Sequence, residues 1–329
     1  MGPRRVKVLA LFSGGLDSTL AVGIAQRLGF EVEAVHFTTP FCVCDKCRVE
    51  EMGRRLGLRV HHVFLGEEFL DLLMDPPHGY GSQMNICIDC RILMFRRAKE
   101  LAERIGAEYL VTGEVLDERP FSQRASVMAL IEREAGLEGK VLRPLSGRLL
   151  WETELERRGL VRREDLYAIQ GRRRIPQIKL AEELGLEGYP SPSGGCLLTD
   201  PQFAKRLRDY LSHEGRPKLE EAVLLRFGRH FRVGPARVVV GRNEEENRVL
   251  EAMAEGRGIT RMRVLGYMGP ITLVIGEAGE DTLSMAAGIT ARYSDAPKDV
   301  QVEVLILDGV ERRMTVKAVG DEELSSFRI

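Results

Sequence analysis

The feature that most constrains this chain is the short motif SGGLDS at Ser13–Ser18, which lies between an apolar run and a helical pattern. The apolar run, Val6–Phe12, is typical of a buried strand, and the helical pattern covers Ser18–Leu28. A buried strand that turns through glycines into a helix directs backbone N–H groups and the positive end of a helix dipole at one anion. The motif lacks the lysine of the common phosphate loop, so it predicts a phosphate site of another type.

The first part of the chain alternates between predicted strands and predicted helices. The strands are Val6–Phe12, Glu31–Phe37, Arg59–Phe64 and Tyr109–Thr112. The helices are Ser18–Leu28, Lys46–Leu56, Glu67–Met74, Met84–Ile105 and Ser122–Glu134. This alternation predicts an α/β fold with a doubly wound, mainly parallel sheet, which binds ligands at the carboxyl ends of its strands. Because Ser13–Ser18 and Thr112–Glu114 both fall at such ends, we expect them to form two walls of one nucleotide crevice.

The length of 329 residues predicts two or three domains. We expect a nucleotide-binding domain over 1–150, and over 151–222 an Arg-rich helical segment with a loop that completes the catalytic site. A smaller α+β domain is expected over 223–329. The middle segment reads as helical from Trp151 to Glu187. No apolar run reaches the length of a membrane span and no signal peptide is recognised, so a cytoplasmic location is expected.

Positive charge is concentrated in two stretches, although the net charge of the chain is only −1. Arg157–Arg174 holds seven arginines, and Arg226–Arg242 holds five arginines and no acidic residue. Such patches are typical of surfaces that bind phosphate-rich partners, and the alternative is a solvated face. The predicted RNA-binding residues are Arg226, Arg229, Arg232, Arg237 and Arg242. We expect a β-hairpin with its turn at Gly234-Pro235 to place several of them on one exposed face.

Three of the six cysteines form the first candidate metal site. Cys87 and Cys90 lie three positions apart at the start of a predicted helix, where thiolates are favoured, and Cys196 follows two glycines. Three thiolates in this arrangement suit a 4Fe-4S cluster whose fourth iron stays open. Zinc and a persulfide or disulfide couple remain as alternatives.

The other three cysteines, Cys42, Cys44 and Cys47, lie within six positions after a predicted strand. They are candidates for a second metal site or for a persulfide relay, and an alternative ligand set for the cluster also remains open. A four-cysteine zinc site formed by Cys44, Cys47, Cys87 and Cys90 is less favoured because the two pairs are far apart in the chain.

Several motifs together carry a resemblance to a known family. SGGLDS, the Cys87–Cys90 pair, TGEVLDERPFSQ over 112–123, LRPLS over 142–146 and YPSPSGGCLLTD over 189–200 resemble the tRNA-thiolating branch of the PP-loop ATP pyrophosphatases. Within this branch they are similar to ThiI-type 4-thiouridine synthases of the form that lacks a rhodanese domain. The segment Arg229–Asn247 resembles the RNA-binding domain of the NFACT family.

The resemblance implies an ATP-dependent tRNA sulfurtransferase that adenylates a uridine carbonyl and inserts sulfur, with 4-thiouridine at tRNA position 8 as the expected product. It assigns ATP binding to Ser13, Gly14, Gly15, Asp17 and Ser18, with Asp17 helping to hold Mg²⁺ and pyrophosphate. It assigns the 4Fe-4S cluster to Cys87, Cys90 and Cys196. Residues at the crevice complete the predicted nucleotide or base site: His36, Phe37, Thr112, Gly113, Glu114, Arg119 and Gln123.

The expected partners are tRNA and a sulfur donor, either a cysteine desulfurase or free sulfide, and a homodimer is left open. Two other functions remain as alternatives. One is an adenylating PP-loop enzyme that acts on a small molecule, and the other is a non-catalytic, zinc-bound RNA-binding protein.

Overall fold

The computed structural model describes residues 5–189 and 195–329, which divide into two compact units, Met1–Thr199 and Asp200–Ile329. The segment 151–222 is thereby shared between the two units. The predicted functional boundaries near 150 and 222 stay predictions. Within the described ranges, none of the helices combines the length and the apolar character that crossing a membrane requires.

The first unit is built from strands and helices in alternation. Its strands are β1 (Lys7–Leu11), β2 (Glu31–Thr38), β3 (Cys42–Val43), β4 (Val60–Phe64), β5 (Tyr109–Thr112), β6 (Val141–Leu142) and β7 (Gly195–Cys196). Its helices are α1 (Leu16–Arg27), α2 (Lys46–Arg55), α3 (Glu67–Met74), α4 (Cys87–Ile105), α5 (Ala125–Ala135), α6 (Glu154–Arg157) and α7 (Ile175–Leu184).

Five of these strands form a parallel sheet in the order β4-β2-β1-β5-β6. Alternate residues of β1 serve the two faces: Val8 packs in the core that includes α1 and α2, and Leu9 in the core that includes α4 and α5. Both faces are therefore covered by helices, as a parallel sheet requires. The strand order reverses between β1 and β5, and such a switch point is where this fold class opens a ligand crevice.

The second unit contains a separate antiparallel sheet in the order β13-β12-β10-β11-β9-β8. Its strands are β8 (Arg229–Val233), β9 (Ala236–Val240), β10 (Thr260–Val264), β11 (Thr272–Ile275), β12 (Gln301–Leu307) and β13 (Glu311–Lys317). Its helices are α8 (Pro201–Glu214), α9 (Leu219–Leu224), α10 (Glu244–Ala254), α11 (Glu280–Arg292) and α12 (Asp321–Phe327). Helix α11 packs on one face of the sheet, while α9 and α10 pack on the other. The predicted fold class is confirmed for both units.

One long prediction is wrong. The segment from Trp151 to Glu187 is not continuously helical, because only the short α6 and the later α7 are α-helices there. Gly159 and Gly171 adopt the left-handed conformation with φ of 67° and 84°, which interrupts a helix. The arginines of this segment bond instead to loop carbonyls and to acids, as Arg163 does with Leu150 O and Glu156.

The predicted hairpin over Arg229–Val240 is confirmed, with Val233 opposite Ala236 across the Gly234-Pro235 turn. The prediction that the hairpin arginines share one exposed face is wrong for Arg232 and Arg237. Arg237 is fully buried between Glu214 and Glu221, and its guanidinium lies 4.9 Å from the ring of Tyr210.

The other hairpin arginines differ in exposure. Arg232 is ion-paired with Asp209 and Glu214 and is only 10% exposed, whereas Arg242 pairs with Glu246 and is 46% exposed. Half-buried Arg229 lies over the ring of Tyr293 at 4.5 Å. The hairpin therefore divides its arginines between structural ion pairs and more accessible positions.

We expect Arg237→Ala to destabilise the second unit by about 1.5–3 kcal/mol, because it removes a fully buried guanidinium and its charged hydrogen bonds, while Glu214 and Glu221 keep Arg232 and Arg257 as partners. Arg248→Ala is the control, since Arg248 forms an exposed ion pair with Glu244 and should change the free energy of unfolding by at most about 0.5 kcal/mol. Hydrogen exchange of the β9 amides, measured by mass spectrometry on the full chain, reports both values. Equal exchange in the two variants would contradict the structural role of Arg237.

Candidate functional site: a phosphate loop beside a cysteine group

The SGGLDS loop connects β1 to α1 and is closed by its two serines. Ser18 Oγ accepts a hydrogen bond from Ser13 N at 3.3 Å and donates one to Gly15 O at 2.9 Å. Gly14 has a φ of 73°, and a Cβ there would lie 3.3 Å from Val49 Cα, so both its conformation and its space favour glycine. No side chain of the described residues caps the helix at Gly15. The N–H groups at the start of α1 therefore remain available for an anion.

Gly113 brings the end of β5 against this loop. A Cβ at Gly113 would lie 2.4 Å from the carbonyl carbon and oxygen of Asp17, which is closer than any side chain allows. Since β1 and β5 are neighbours in the sheet, their carboxyl ends form the two sides of the switch-point crevice. The sequence expectation that both segments line one crevice agrees with this contact.

Asp17 is the acidic residue of the loop. Burial raises the pKa of the Asp17 carboxyl, and the positive charges of Arg174 and Arg119 oppose this effect. Arg174 Nη2 lies 3.8 Å from Asp17 Oδ2, while among the described residues Asp17 Oδ1 is buried with no hydrogen-bond partner. An unpartnered carboxylate oxygen beside a phosphate loop is the type of ligand that Mg²⁺ takes, so the donor fits that ion.

His36 lies on β2 beside the same end of the sheet. Its Nδ1 donates to Phe12 O at 3.0 Å, which leaves Nε2 as a buried acceptor that has no partner among the described residues. Burial lowers the pKa of His36, so its imidazole is neutral at pH 7. The neighbouring Phe37 packs instead against the core formed with α4.

Glu114, directly after Gly113, is the centre of a buried charge network. Its carboxylate accepts from Arg143 Nε at 2.9 Å and pairs with Arg91 Nε at 3.1 Å, and Arg143 also pairs with Glu132. Burial by itself would raise the pKa of Glu114, but Arg91 and Arg143 lower it below its ordinary value. Thr112 Oγ1 donates a further bond to Glu114 at 3.1 Å. Sequence reasoning missed Arg91 and Arg143; the only signal was the position of Arg143 within the LRPLS motif.

Arg91 connects this crevice with the cysteines, because it follows Cys90 on α4. Asp89 lies between Cys87 and Cys90 in the sequence, and its side chain is buried. It accepts a hydrogen bond from His78 Nδ1 at 2.7 Å, which holds the first turn of the helix. Asn85 Nδ2 lies 3.3 Å from Cys87 Sγ.

Cys196 lies near the C-terminal end of the first unit in sequence, in a segment that is bonded to the residues before α4. Met84 N donates to Leu198 O at 3.1 Å and so ties the segment before α4 to the segment after Cys196. Burial, followed by the nearby Cys196 thiol, raises the pKa of Cys90 to about 12. Burial also raises the pKa of Cys196 to about 11, with the thiols of Cys87 and Cys42 adding to the effect. The thiols of Cys42, Cys87, Cys90 and Cys196 are thus near enough to influence one another electrostatically, and Cys42 is paired with Cys196 in the short ladder between β3 and β7.

The remaining two cysteines of the second predicted set are placed differently. Cys44 is half-buried just after β3, and Cys47 is exposed in the first turn of α2, where Asp45 caps the helix. Within residues 5–189 and 195–329, no three or more His, Cys, Asp or Glu side chains form a group that could hold a metal ion as they stand. The donor chemistry of the half-buried cysteines Cys42, Cys87, Cys90 and Cys196 nevertheless suits a thiophilic metal, because thiolates are the ligands of iron–sulfur and structural zinc centres.

Arg119 relates the two parts of the site. Burial raises the pKa of the Asp17 carboxyl and of the Cys196 thiol, and the positive charge of Arg119 lowers both. Arg119 N donates to Gln123 Oε1 at 2.9 Å, and Gln123 is buried, so this segment after β5 is held in place. The Arg119 side chain is itself exposed, and its charge is a smaller influence than burial at both positions.

The parallel sheet, the glycine-rich loop and the switch-point crevice define a nucleotide-binding α/β domain of the PP-loop type. Comparison with known families gives the finer assignment. Residues 4–149 match the family model of the thiamine biosynthesis protein (ThiI), and residues 228–328 match the RNA-binding domain of NFACT proteins. The first segment is thus similar to the ThiI family and the second to the NFACT RNA-binding domain, and the resemblance predicted from the sequence is confirmed for these two segments.

Individual proteins are similar in sequence to parts of this chain. A probable tRNA sulfurtransferase from Thermoanaerobacter sp. (strain X514) is 30% identical over 150 residues, which cover 43% of this chain and 37% of that protein. A tRNA-specific 2-thiouridylase MnmA from Marinobacter nauticus is 23% identical over 64% of this chain and 55% of its own length. The chain therefore spans less than two thirds of the length of these relatives. A solved 4-thiouridine synthetase–RNA complex with bound ATP is 25% identical, with a TM-score of 0.43, over 66% of this chain and 53% of that one.

We expect Gly113→Ala to weaken the binding of ATP at least about tenfold, because the new Cβ pushes the end of β5 away from the phosphate loop. Gly279→Ala is the matched control, since nothing lies within 4 Å of a Cβ at that position. Isothermal titration calorimetry with ATP and Mg²⁺ measures both variants. Equal affinity in the Gly113→Ala protein and the control would show that the contact with Asp17 has no part in nucleotide binding.

Proposed function

We propose that this protein is an ATP-dependent tRNA sulfurtransferase that converts a uridine of tRNA into a thiouridine. The observation that carries the proposal is that one unit holds an uncapped PP-loop and a half-buried group of cysteines, and that Arg91 of the cysteine helix is ion-paired with Glu114 at the crevice beside that loop. The first site suits the activation of an oxygen atom by ATP, and the second suits the handling of sulfur. The family assignment of the two domains and the sulfurtransferase names of the relatives point in the same direction.

The first step takes place at the phosphate loop. The carbonyl oxygen of the uridine attacks the α-phosphorus of ATP, an O–P bond forms, and pyrophosphate leaves. The N–H groups of the Ser13–Ser18 loop and the start of α1 bind the pyrophosphate as its negative charge develops. Asp17 would hold Mg²⁺ through its buried carboxylate oxygen, with Arg174 beside it.

The second step replaces oxygen by sulfur. A hydrosulfide-level sulfur attacks the activated ring carbon, a C–S bond forms, and AMP leaves with the former carbonyl oxygen. Arg119, an exposed cation in the segment after β5, is proposed to balance negative charge at this step. We propose 4-thiouridine at tRNA position 8 as the product. The sulfur source is free sulfide, or a cysteine desulfurase whose persulfide sulfur is first reduced to sulfide by a thiol reductant, which is oxidised to a disulfide.

Cys87, Cys90 and Cys196 would hold a 4Fe-4S cluster, with zinc as the alternative metal. When bound, such a cluster supplies an iron that can carry sulfur without any net redox change. The chain's own residues prepare the site: Asn85 contacts Cys87, and Asp89 fixes the helical turn between the two cysteines. Because burial keeps Cys90 and Cys196 protonated, loading must release protons and should become more favourable as the pH rises.

The second unit would bind the tRNA. Arg226, Arg229 and Arg242 are proposed as phosphate contacts, whereas the buried Arg237 is committed to its own ion pairs. Arginine suits this role because its planar fork donates two hydrogen bonds to one phosphate. We propose a cytoplasmic location, as expected for an enzyme that acts on tRNA.

Asp17→Ala is expected to abolish the tRNA-dependent release of pyrophosphate from ATP, since it removes the carboxylate proposed to hold Mg²⁺ at the loop. Asp299→Ala, an exposed position in the second unit, serves as the control with unchanged release. A coupled phosphate assay with and without tRNA makes the measurement. Normal release by a folded Asp17→Ala protein overturns the proposed role of the loop, and release that needs a small molecule instead of tRNA favours a different adenylating enzyme.

The double substitution of Arg229 and Arg242 by glutamate should weaken tRNA binding, because both side chains are proposed to bind phosphates. The slope of log affinity against log salt should fall by about one for each phosphate that the variant no longer neutralises. Arg5→Glu, an exposed arginine of the first unit, is the control for charge alone. Filter binding at several salt concentrations gives the slopes. If the double variant and the control have the same slope, these two arginines do not bind the tRNA backbone.

A further inference from the structure

A two-residue antiparallel ladder joins β3 to β7 and sets Cys42 directly opposite Cys196. Residues paired in this way have Cα atoms about 4.5–5.5 Å apart, and their side chains point to the same face. The two thiols therefore start from neighbouring positions on one side of the ladder. The sequence grouped Cys42 with Cys44 and Cys47, so this pairing is new information from the fold.

The position of Cys42 is fixed by its neighbours. Phe41 is fully buried and packs at 6.2 Å from the ring of Phe69, which anchors the chain immediately before the cysteine. Phe41 O accepts a hydrogen bond from Leu197 N at 2.9 Å, and Cys42 N donates to Thr39 O at 3.3 Å. Backbone bonds on both sides thus hold the ladder in register.

The same ladder is joined to the start of α4. The bond from Met84 N to Leu198 O ties the approach to Cys87 to the residues that follow Cys196. Cys87 and Cys90 are then one helical turn apart on α4, which places both thiols on one face of the helix. Three backbone segments that are distant in sequence therefore bring Cys42, Cys87, Cys90 and Cys196 into one region of the unit, where their side chains would close around a metal when it binds.

We propose that Cys42 is the fourth sulfur ligand of a single thiophilic metal site formed with Cys87, Cys90 and Cys196. Four thiolates are the donor set of a structural zinc ion and of a 4Fe-4S cluster with every iron ligated. With Cys42 bound, the metal would order these segments, and sulfur would reach the activated ring carbon directly from its donor instead of from an open iron. The inference rests on the cysteine site of the proposed function and extends it from three ligands to four. Cys47 lies outside the site, because it is exposed on α2.

The test is a labelling experiment on the full chain without oxygen. The protein is loaded with zinc alone in one arm and with ferrous iron and sulfide in the other, then treated with N-ethylmaleimide and analysed by peptide mass spectrometry. In the arm that supplies the right metal, Cys42 should be labelled at least about tenfold more slowly than in the metal-free protein, together with the other three cysteines. Cys47 is the internal control and should react at the same rate throughout.

A pair of variants tests the number of sulfur ligands by a second method that does not use labelling. In the full chain loaded with cobalt(II), thiolate-to-metal absorbance should fall by about a quarter in Cys42→Ser and stay unchanged in Cys47→Ser, since one of four sulfur ligands is removed. Circular dichroism establishes that each variant is folded. If Cys42→Ser does not fold, the labelling of the natural protein still decides the question.

Two results overturn the proposal: labelling of Cys42 at its metal-free rate in both arms, or a Cys42→Ser absorbance equal to that of the natural protein. The test of the fourth ligand and the test of the proposed function can fail independently of each other. Protection of four cysteines in a protein that releases no pyrophosphate with tRNA keeps the metal site and overturns the function. Pyrophosphate release with Cys42 unprotected keeps the function and overturns the fourth ligand.

Discussion

The buried ion pairs of Glu114 are the interaction on which the first unit depends. One carboxylate at the end of β5 holds Arg91 from the cysteine helix and Arg143 from the end of β6. Removing one member of such a buried set costs about 3–5 kcal/mol, because the remaining charges lose their compensation. The network therefore does more than stabilise the sheet: it fixes the helix that carries Cys87 and Cys90 relative to the phosphate loop.

Most of the parallel sheet could be predicted from the sequence, because its central strands β1 and β5 are apolar and the long helix α4 is amphipathic. Glu67–Met74 and Tyr109–Thr112 have the predicted bounds. The sequence does not reveal the two-residue strands β3, β6 and β7, since such short pairings have no periodicity to detect. The helical prediction after Trp151 was wrong because ion pairs and left-handed glycines decide the backbone there more strongly than helix propensity does.

At the candidate site, sequence patterns located the functional residues but not the residues that contact them. The glycine loop and the Cys87–Cys90 pair were recognisable because each is local in the chain. The pairing of Cys42 with Cys196 depends on a ladder between distant segments, and the neutralisation of Arg237 depends on two glutamates from other helices. A run of arginines in a sequence reports total charge, whereas the fold determines how much of that charge reaches the surface.

The two-residue ladder between β3 and β7 also has a consequence for biosynthesis. Its strands come from opposite ends of the first unit, so the cost of closing the long intervening loop must be met before the ladder forms. On the ribosome, Cys42, Cys87 and Cys90 emerge well before Cys196 and wait as a partial set of thiols. Maturation of the cysteine group is therefore coupled to completion of the whole unit, and a nascent chain that stalls before β7 exposes reactive sulfur to the cell.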